Sequence, residues 1–430
     1  MNNFVLKEVT LADGTKTDIA IDGGMISEIG VGLTAETIVD CSNLIALPGF
    51  VDLHTHLREP GYEASETVLT GSQSAALGGY TAVHAMANTN PVADTAGVVE
   101  QIKALGRDAG YVDVFPIGAV TSGLDGKQLA ELGAMANSRA QVKVFSDDGK
   151  CVSDPLLMRR ALEYVKAFGG VIAQHAQDPR LTEGAQMNAG KVSTELGLAG
   201  WPAVAEESII ARDVLLAEHV GSRIHICHLS TKGSVEIIRW AKSRGINVTA
   251  EVTPHHLLLT DELARSYNPI FKVNPPLRTQ SDVEALREAL IDGTIDIIAT
   301  DHAPHPIESK DCEWNAAAFG MVGLEIAESV AQLVLIESGK SNWARMAEVL
   351  STKPAEIGQD TDHGSIRVGA VANIAIIDPK VERKIPLDTA SKSVNNPYVD
   401  RVLPGAVVHT IFNGEFTVLN GVLQKKEEVA

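Results

Sequence analysis

Two histidines two positions apart, His54 and His56, close a short apolar run in GFVDLHTHLREPG, and Arg58 follows two positions later. Imidazole is a good ligand for zinc, as is carboxylate oxygen. Residues at i and i+2 of a strand share a face, so both rings can reach one ion. Alone, the pair is as readily an ordinary polar strand end as a metal site. The same kind of residue, however, ends other apolar runs: Asp147 and Asp148 in FSDDG, His175 in QHAQD, His228 in HICHLS, His255 and His256 in TPHH, and Asp301, His302 and His305 in TDHAPH. Asp301 can complete a set with His54 and His56, and His175 with His228 can form a second. Asp148 is the best placed carboxylate to lie between the two sets. Its neighbour Asp147 is close to equivalent by position, and Lys143 is a rival because CO2 can carboxylate a lysine. Two divalent ions about 3.5–4 Å apart would hold a bridging hydroxide at neutral pH and polarise a carbonyl oxygen. Asp301 could take the hydroxide's proton and return it to a leaving nitrogen. That is chemistry for opening an amide or imide.

These residues need a scaffold that brings distant segments to one rim. The middle of the chain alternates short apolar segments with amphipathic stretches. Strands are expected at 49–53, 80–87, 113–120, 141–145, 170–175, 223–228, 247–252 and 295–300. In PLLMRRALEYVKAFGG, Leu156, Leu157, Ala161, Leu162 and Val165 fall near a 3.6-residue period. Eight such units over about 300 residues is the count of a (β/α)8 barrel. An open doubly wound sheet would offer a Gly-rich phosphate loop after its first strand, and none is present. In a barrel the C-terminal strand ends form the reactive face, and every polar cluster named above sits at such an end. Both ends of the chain read as short strands and turns, with NG hairpin signals near the C-terminus. The expected organisation is an α/β protein with the barrel over 49–365 and a small β-sandwich built from 1–48 plus 366–430.

Composition narrows the partners. The chain has 430 residues, 45% hydrophobic but only 4% aromatic, which suits strands packed by branched aliphatics. Its formal charge of −19 disfavours nucleic acid and anionic membranes as general partners, without excluding a small anionic substrate in a locally positive pocket. The four cysteines form no C-x-x-C pair, the N-terminus lacks signal-peptide features, and no run of 18 apolar residues occurs. A cytoplasmic protein with reduced thiols and no transmembrane helix is expected.

Other histidines read more blandly. His84 lies inside a strand and is expected in the core. His225 faces away from His228 and is set aside, and His219, His363 and His409 fall off the rim. His255 and His256 suit a turn or supporting role as well as a functional one, His302 suits orienting its neighbours, and Cys227 is expected to be a packed thiol. Arg58, on the rim after two candidate ligands, is better suited to a substrate anion than to a surface ion pair.

The motifs PGFVDLHTHLREPG, GGYTAVHAMANTNP, FSDDG, QHAQD, HICHLS, VTPHHLLLTDE, FKVNPPLR and IATDHAPH occur in that order. Together they resemble the long, bacterial-type dihydroorotases of the amidohydrolase superfamily, from about residue 10 to the C-terminus. HLREPG with NTNP and TDHAPH favours these over hydantoinases and allantoinases. The resemblance implies reversible, zinc-dependent cyclisation of N-carbamoyl-L-aspartate to L-dihydroorotate in pyrimidine biosynthesis. It implies two zinc ions, one on His54, His56 and Asp301, the other on His175 and His228, with Asp148 between them and Asp301 as acid/base. It places Arg58, Asn88 and His305 on the substrate carboxylate, with His56 also at the substrate. Asn274 and the backbone around Phe319 and Gly320 would contact the ring, and the segment 305–320 would move over the site. Expected partners are the small-molecule substrate, a second copy of the chain in a homodimer, and aspartate transcarbamoylase. Two departures stand out: Ala87 replaces a usual proline, and Gln177 replaces an acidic residue after His175. The alternatives are a hydantoinase- or allantoinase-like cyclic amidohydrolase, and a non-catalytic scaffold for aspartate transcarbamoylase.

Overall fold

The computed structural model describes residues 3–425. Residues 1, 2 and 426–430, the outer ends of the expected accessory region, lie outside the described residues.

Eight parallel strands follow one another around a barrel: Phe50–Thr55, Tyr80–Ala85, Asp113–Pro116, Val144–Phe145, Val171–Gln174, Ile224–Ile226, Val248–Val252 and Ile297–Ile298. Strands one to three pair in one sheet and four to eight in another. Two parallel bridges, Gly118 to Phe145 and Thr55 to His302, join the sheets into a closed ring. All six residues of the first strand are buried, as expected of a strand covered on both faces. That strand runs on through His54 and Thr55, past the expected end at Leu53. A buried carboxylate fastens the seam between strands one and eight. Asp52 accepts hydrogen bonds from the Thr300 hydroxyl (2.5 Å), the Thr300 N–H (3.1 Å) and the His54 N–H (3.0 Å).

Helices cover the outside. Pro155–Lys166 shows why they form where they do: Pro155 stands at the first helical position and the Asp154 side chain accepts the Leu157 N–H. It buries Leu157, Met158, Ala161, Leu162 and Val165. Leu156, placed on that face by the sequence periodicity, is 48% exposed and Met158 takes its place. The difference is one position of helical phase. Each fully buried aliphatic of this kind contributes roughly 1.5–3 kcal/mol.

The two chain ends share one nine-stranded sheet. Ile374–Lys384 pairs antiparallel with Ile45–Pro48, which joins the C-terminal strands to the N-terminal ones. The sheet folds over a core of Phe4, Leu6, Ile19, Ile21, Ile26, Ile374, Ile376 and Ile411. Its two ends meet at glycines: a Cβ on Gly414 (φ +75°) would lie 2.4 Å from the Gly24 Cα. Among the described residues, no helix is long and apolar enough to cross a membrane.

Candidate metal centre

The strand ends bring the polar clusters together. Asp148 sits in the middle. Its Oδ1 lies 3.3 Å from His54 Nε2, 3.1 Å from His175 Nδ1 and 3.4 Å from His228 Nε2, and its Oδ2 lies 3.3 Å from His56 Nε2. Asp301 Oδ1 lies 3.0 Å from His56 Nε2 and 3.4 Å from His54 Nε2. The six sequence-predicted ligands thus form one cluster, and all six are buried. Asp147, the close positional alternative, is used otherwise: it accepts the Val120 and Thr121 N–H groups and the Thr121 hydroxyl. Lys143 precedes the fourth strand and lines a cavity with His84, Asp113, Asp360 and His363, at the opposite end of the strands from Asp148.

The donor set fits a cation. His54 Nε2 is buried and makes no hydrogen bond, although two carboxylates face it. His228 Nε2 and His175 Nδ1 lie only 2.9 Å apart. Burial opposes charge on His54, yet Asp148, Glu251 and Asp301 raise its pKa well above the usual imidazole value. Burial would likewise raise the Asp148 carboxyl, but His54, His175 and His228 hold it well below its usual range. The pocket therefore demands positive charge among acceptor atoms that point inward, which a divalent ion satisfies. Asp148 with His54 and His56, and Asp148 with His175 and His228, each place three ligand atoms within 4.8 Å of one another. Cys227 forms a similar group with His54 and Glu251, but burial pushes its thiol far up, so it stays protonated.

Acceptors on the outer side of the histidines fix which nitrogen faces in. His54 Nδ1 donates to Glu251 Oε1 (2.6 Å), His56 Nδ1 to Asn88 Oδ1 (3.0 Å) and His175 Nε2 to Gln177 Oε1 (2.7 Å). A ligand imidazole held in this way keeps its lone pair aimed at the ion. Glu251 carries no motif that marks it in the sequence. Besides His54, it accepts His225 Nε2 (2.9 Å) and the backbone N–H of His228 (3.1 Å). His225, set aside on its facing, is thereby part of the support. A glutamate within the apolar run before TPHH was the available signal, since buried carboxylates require partners. Glu251→Ala is expected to weaken metal binding about 10–100-fold. Competition with a chelator measures this, and unchanged affinity would refute the role.

The backbone is unusual here too. His228 (φ +32°), Asp301 (φ +46°) and Arg58 (φ +64°) are all left-handed non-glycine residues, a conformation that persists only where surroundings enforce it.

The expected substrate residues ring the same cluster. Arg58 Nε donates to the Pro304 carbonyl (3.2 Å), and an Arg58 terminal nitrogen lies 3.5 Å from His305 Nε2. Burial lowers the Arg58 pKa only to about 10, leaving it charged at neutral pH. Burial and Arg58 push His305 down to about 3, so its ring is neutral and donates Nε2–H to the Phe319 carbonyl (2.8 Å). Gly320 is needed beside it: φ is +151° and a Cβ would lie 2.7 Å from the His305 ring. Asn274 Nδ2 donates to Gln177 Oε1 (3.1 Å), while its Oδ1 is buried without a hydrogen-bond partner. Gln177 therefore connects Asn274 to His175. Lys310 holds the segment 305–320 from inside, its ammonium donating to the carbonyls of Lys272, Ala318 and Gly320.

Four other histidines find partners or neighbours outside the cluster. His84 pairs with Asp360 (2.8 Å), and His302 with Glu66 (3.3 Å). His256 accepts from the Thr253 hydroxyl and donates to the Pro275 carbonyl, and His255 is buried against it.

Comparison with known proteins gives the arrangement its family. A family described as "Dihydro-orotase-like" matches residues 43–234. A dihydroorotase of Leifsonia xyli subsp. xyli is 66% identical over 98% of this chain and 97% of its own length. The chain belongs to the dihydroorotase family. A dihydroorotase of Streptomyces coelicolor is 64% identical over 98% of this chain and all of its own. One of Mycobacterium tuberculosis is 51% identical over 96% and 97%. Among solved structures, an L-hydantoinase from Arthrobacter aurescens superposes with a TM-score of 0.89 at 25% identity, covering 99% of this chain and 98% of that one. A dihydropyrimidinase from Brevibacillus agri gives 0.86 at 22%, covering 98% and 96%, a likeness of fold alone. Family membership makes the chain an enzyme, a hydrolase of the cyclic amidohydrolase class, and implies a metal cofactor and a small-molecule substrate.

Proposed function

We propose that this chain interconverts N-carbamoyl-L-aspartate and L-dihydroorotate with two zinc ions per chain. The observation that carries the reading is Asp148 in contact with all four candidate ligand histidines, beside Asp301. His54, His56 and Asp301 would hold one zinc and His175 and His228 the other, with Asp148 shared. When bound, the ions supply a water-derived nucleophile at neutral pH and polarise the amide carbonyl.

The chain's own residues do the rest. Arg58 offers a charged fork to the substrate carboxylate, with His305 and the free amide N–H2 of Asn88 beside it. Asn88 Oδ1 is committed to His56, so its amide nitrogen remains for substrate. Asn274 Oδ1, buried and lacking a partner, would accept a ring N–H, and the backbone at Phe319 and Gly320 would lie along the ring edge. In ring opening, Asp301 accepts a proton from the attacking water and delivers it to the ring nitrogen as the C–N bond breaks. Cyclisation reverses these steps and releases water.

Within this reading the barrel spans 49–365 and the accessory β-sandwich 1–48 plus 366–430. The strands of the shared sheet, which reach from Asn3 to Pro48 and from Ile374 to Leu423, support that division. Four free cysteines fit a cytoplasmic location. A homodimer and an association with aspartate transcarbamoylase belong to the same reading, and sizing with and without the transcarbamoylase tests both.

The decisive assay follows ring opening of dihydroorotate, hydantoin and allantoin by metal-replete protein. Turnover of dihydroorotate well above the other two is expected, because hydantoin and allantoin present no carboxylate to Arg58. Inactivity on dihydroorotate would end the reading, whether in favour of another cyclic ureide or of a scaffold.

A further inference from the structure

The chain between Ile374–Lys384 and Val402–Phe412 leaves the accessory sheet and crosses to the reactive face of the barrel. It is tied down along its way. The Ala390 N–H donates to Glu325 (2.8 Å) and the Lys392 N–H to Glu66 Oε1 (3.0 Å). The Ser391 hydroxyl donates to Glu66 Oε2, and the Ser393 hydroxyl to the Ser65 carbonyl (2.6 Å). Glu66 also meets His302, whose Nδ1 accepts the Gly323 N–H (3.2 Å).

Asn395 ends this brace and is 1% exposed. Its Oδ1 accepts the backbone N–H of His305 (3.1 Å). Its Nδ2 donates to the carbonyls of Ala303 (2.9 Å) and Gly320 (3.1 Å). Its own carbonyl accepts the Val322 N–H (3.1 Å). One residue thus holds both ends of the segment 305–320. These ends carry His305, which faces Arg58, and Gly320, which the His305 ring packs against. Every polar group of the side chain is used, and only one orientation of the amide satisfies all three side-chain bonds. A brace that merely filled space would need no amide.

We propose that Asn395 is a positioning residue for recognition of the substrate's carboxylate. It acts through the backbone of His305 and Gly320, by closing the segment between them. The accessory region thereby sets the shape of the anion site without touching the substrate. This inference rests on the dihydroorotate reading for its kinetic test, but not for its structural one.

Asn395→Ala is expected to raise KM for dihydroorotate about tenfold, the scale of one lost net buried hydrogen bond, with kcat and metal content little changed. Asn395→Asp keeps the volume but turns an oxygen toward two carbonyls, and is expected to be at least as impaired. Ser391→Ala loosens the far end and is expected to shift KM the same way by less. Amide hydrogen exchange across residues 303–322 is expected to quicken in all three, with protection in the barrel strands kept. An aspartate variant with wild-type KM, a fall in kcat with KM unchanged, or unaltered exchange at 303–322 would each overturn the proposal. Wild-type protein inactive on dihydroorotate would instead overturn the functional reading, and the exchange result would still decide the brace.

Discussion

Asp148→Ala is expected to lose bound metal, from the proposed two ions per chain to one or none, and with it nearly all ring-opening activity. The reason is the position of the carboxylate. Its two oxygens lie 3.1–3.4 Å from ring nitrogens of His54, His56, His175 and His228. No other carboxylate among the described residues reaches both histidine pairs in this way. Its removal leaves four inward-facing imidazoles with no shared anion between them. The loss should exceed the roughly 10–100-fold typical of removing a supporting residue outside the ligand set. Metal analysis after gentle purification, together with steady-state turnover, checks this. A variant that keeps both ions and its activity would remove Asp148 from the bridge. Lys143 would not then be its natural replacement, since it lies at the opposite end of the strands.

Asp301→Asn separates the two roles proposed for Asp301, metal ligand and proton carrier. Asp301 Oδ1 faces His54 and His56, and an asparagine oxygen can still occupy that place. What asparagine cannot do is accept the water's proton and pass it to the ring nitrogen. A fall in kcat of about 10²–10⁴-fold is expected, with most of the metal retained and a smaller change in KM. Burial would raise this carboxyl, but His54 and His56 lower it, so it is ionised and ready to accept at neutral pH. Turnover within tenfold of wild type would mean that another group moves the proton. Loss of both ions would make the measurement one of ligation instead.

Much of this site was legible because the barrel converts a pattern in sequence into a place in space. His54, His175, His228 and Asp301 each follow an apolar run, and strands that all point one way deliver such residues to one rim. Seven of the eight expected strands contain the observed one, and the first overlaps it, running two residues further to Thr55. Their ends were less legible, because the chain leaves the ladder where it begins to serve the site, as at the left-handed His228. Leu156 shows the limit of periodicity: one step in helical phase moved it to solvent.

The fold class, the rim and the ligand candidates are readable from sequence, since these depend on residue type and on order along the chain. Which of Asp147 and Asp148 lies among the histidines is visible only in the folded chain. Adjacent residues in a turn point in different directions, and one found Thr121 while the other found four histidines. The tertiary structure alone revealed Glu251 behind His54, and Asn395 holding His305 and Gly320 from the far side of the chain. These partnerships join residues 197, 90 and 75 positions apart. A hydrogen bond depends on two directions meeting within about 3 Å, and no local pattern encodes that.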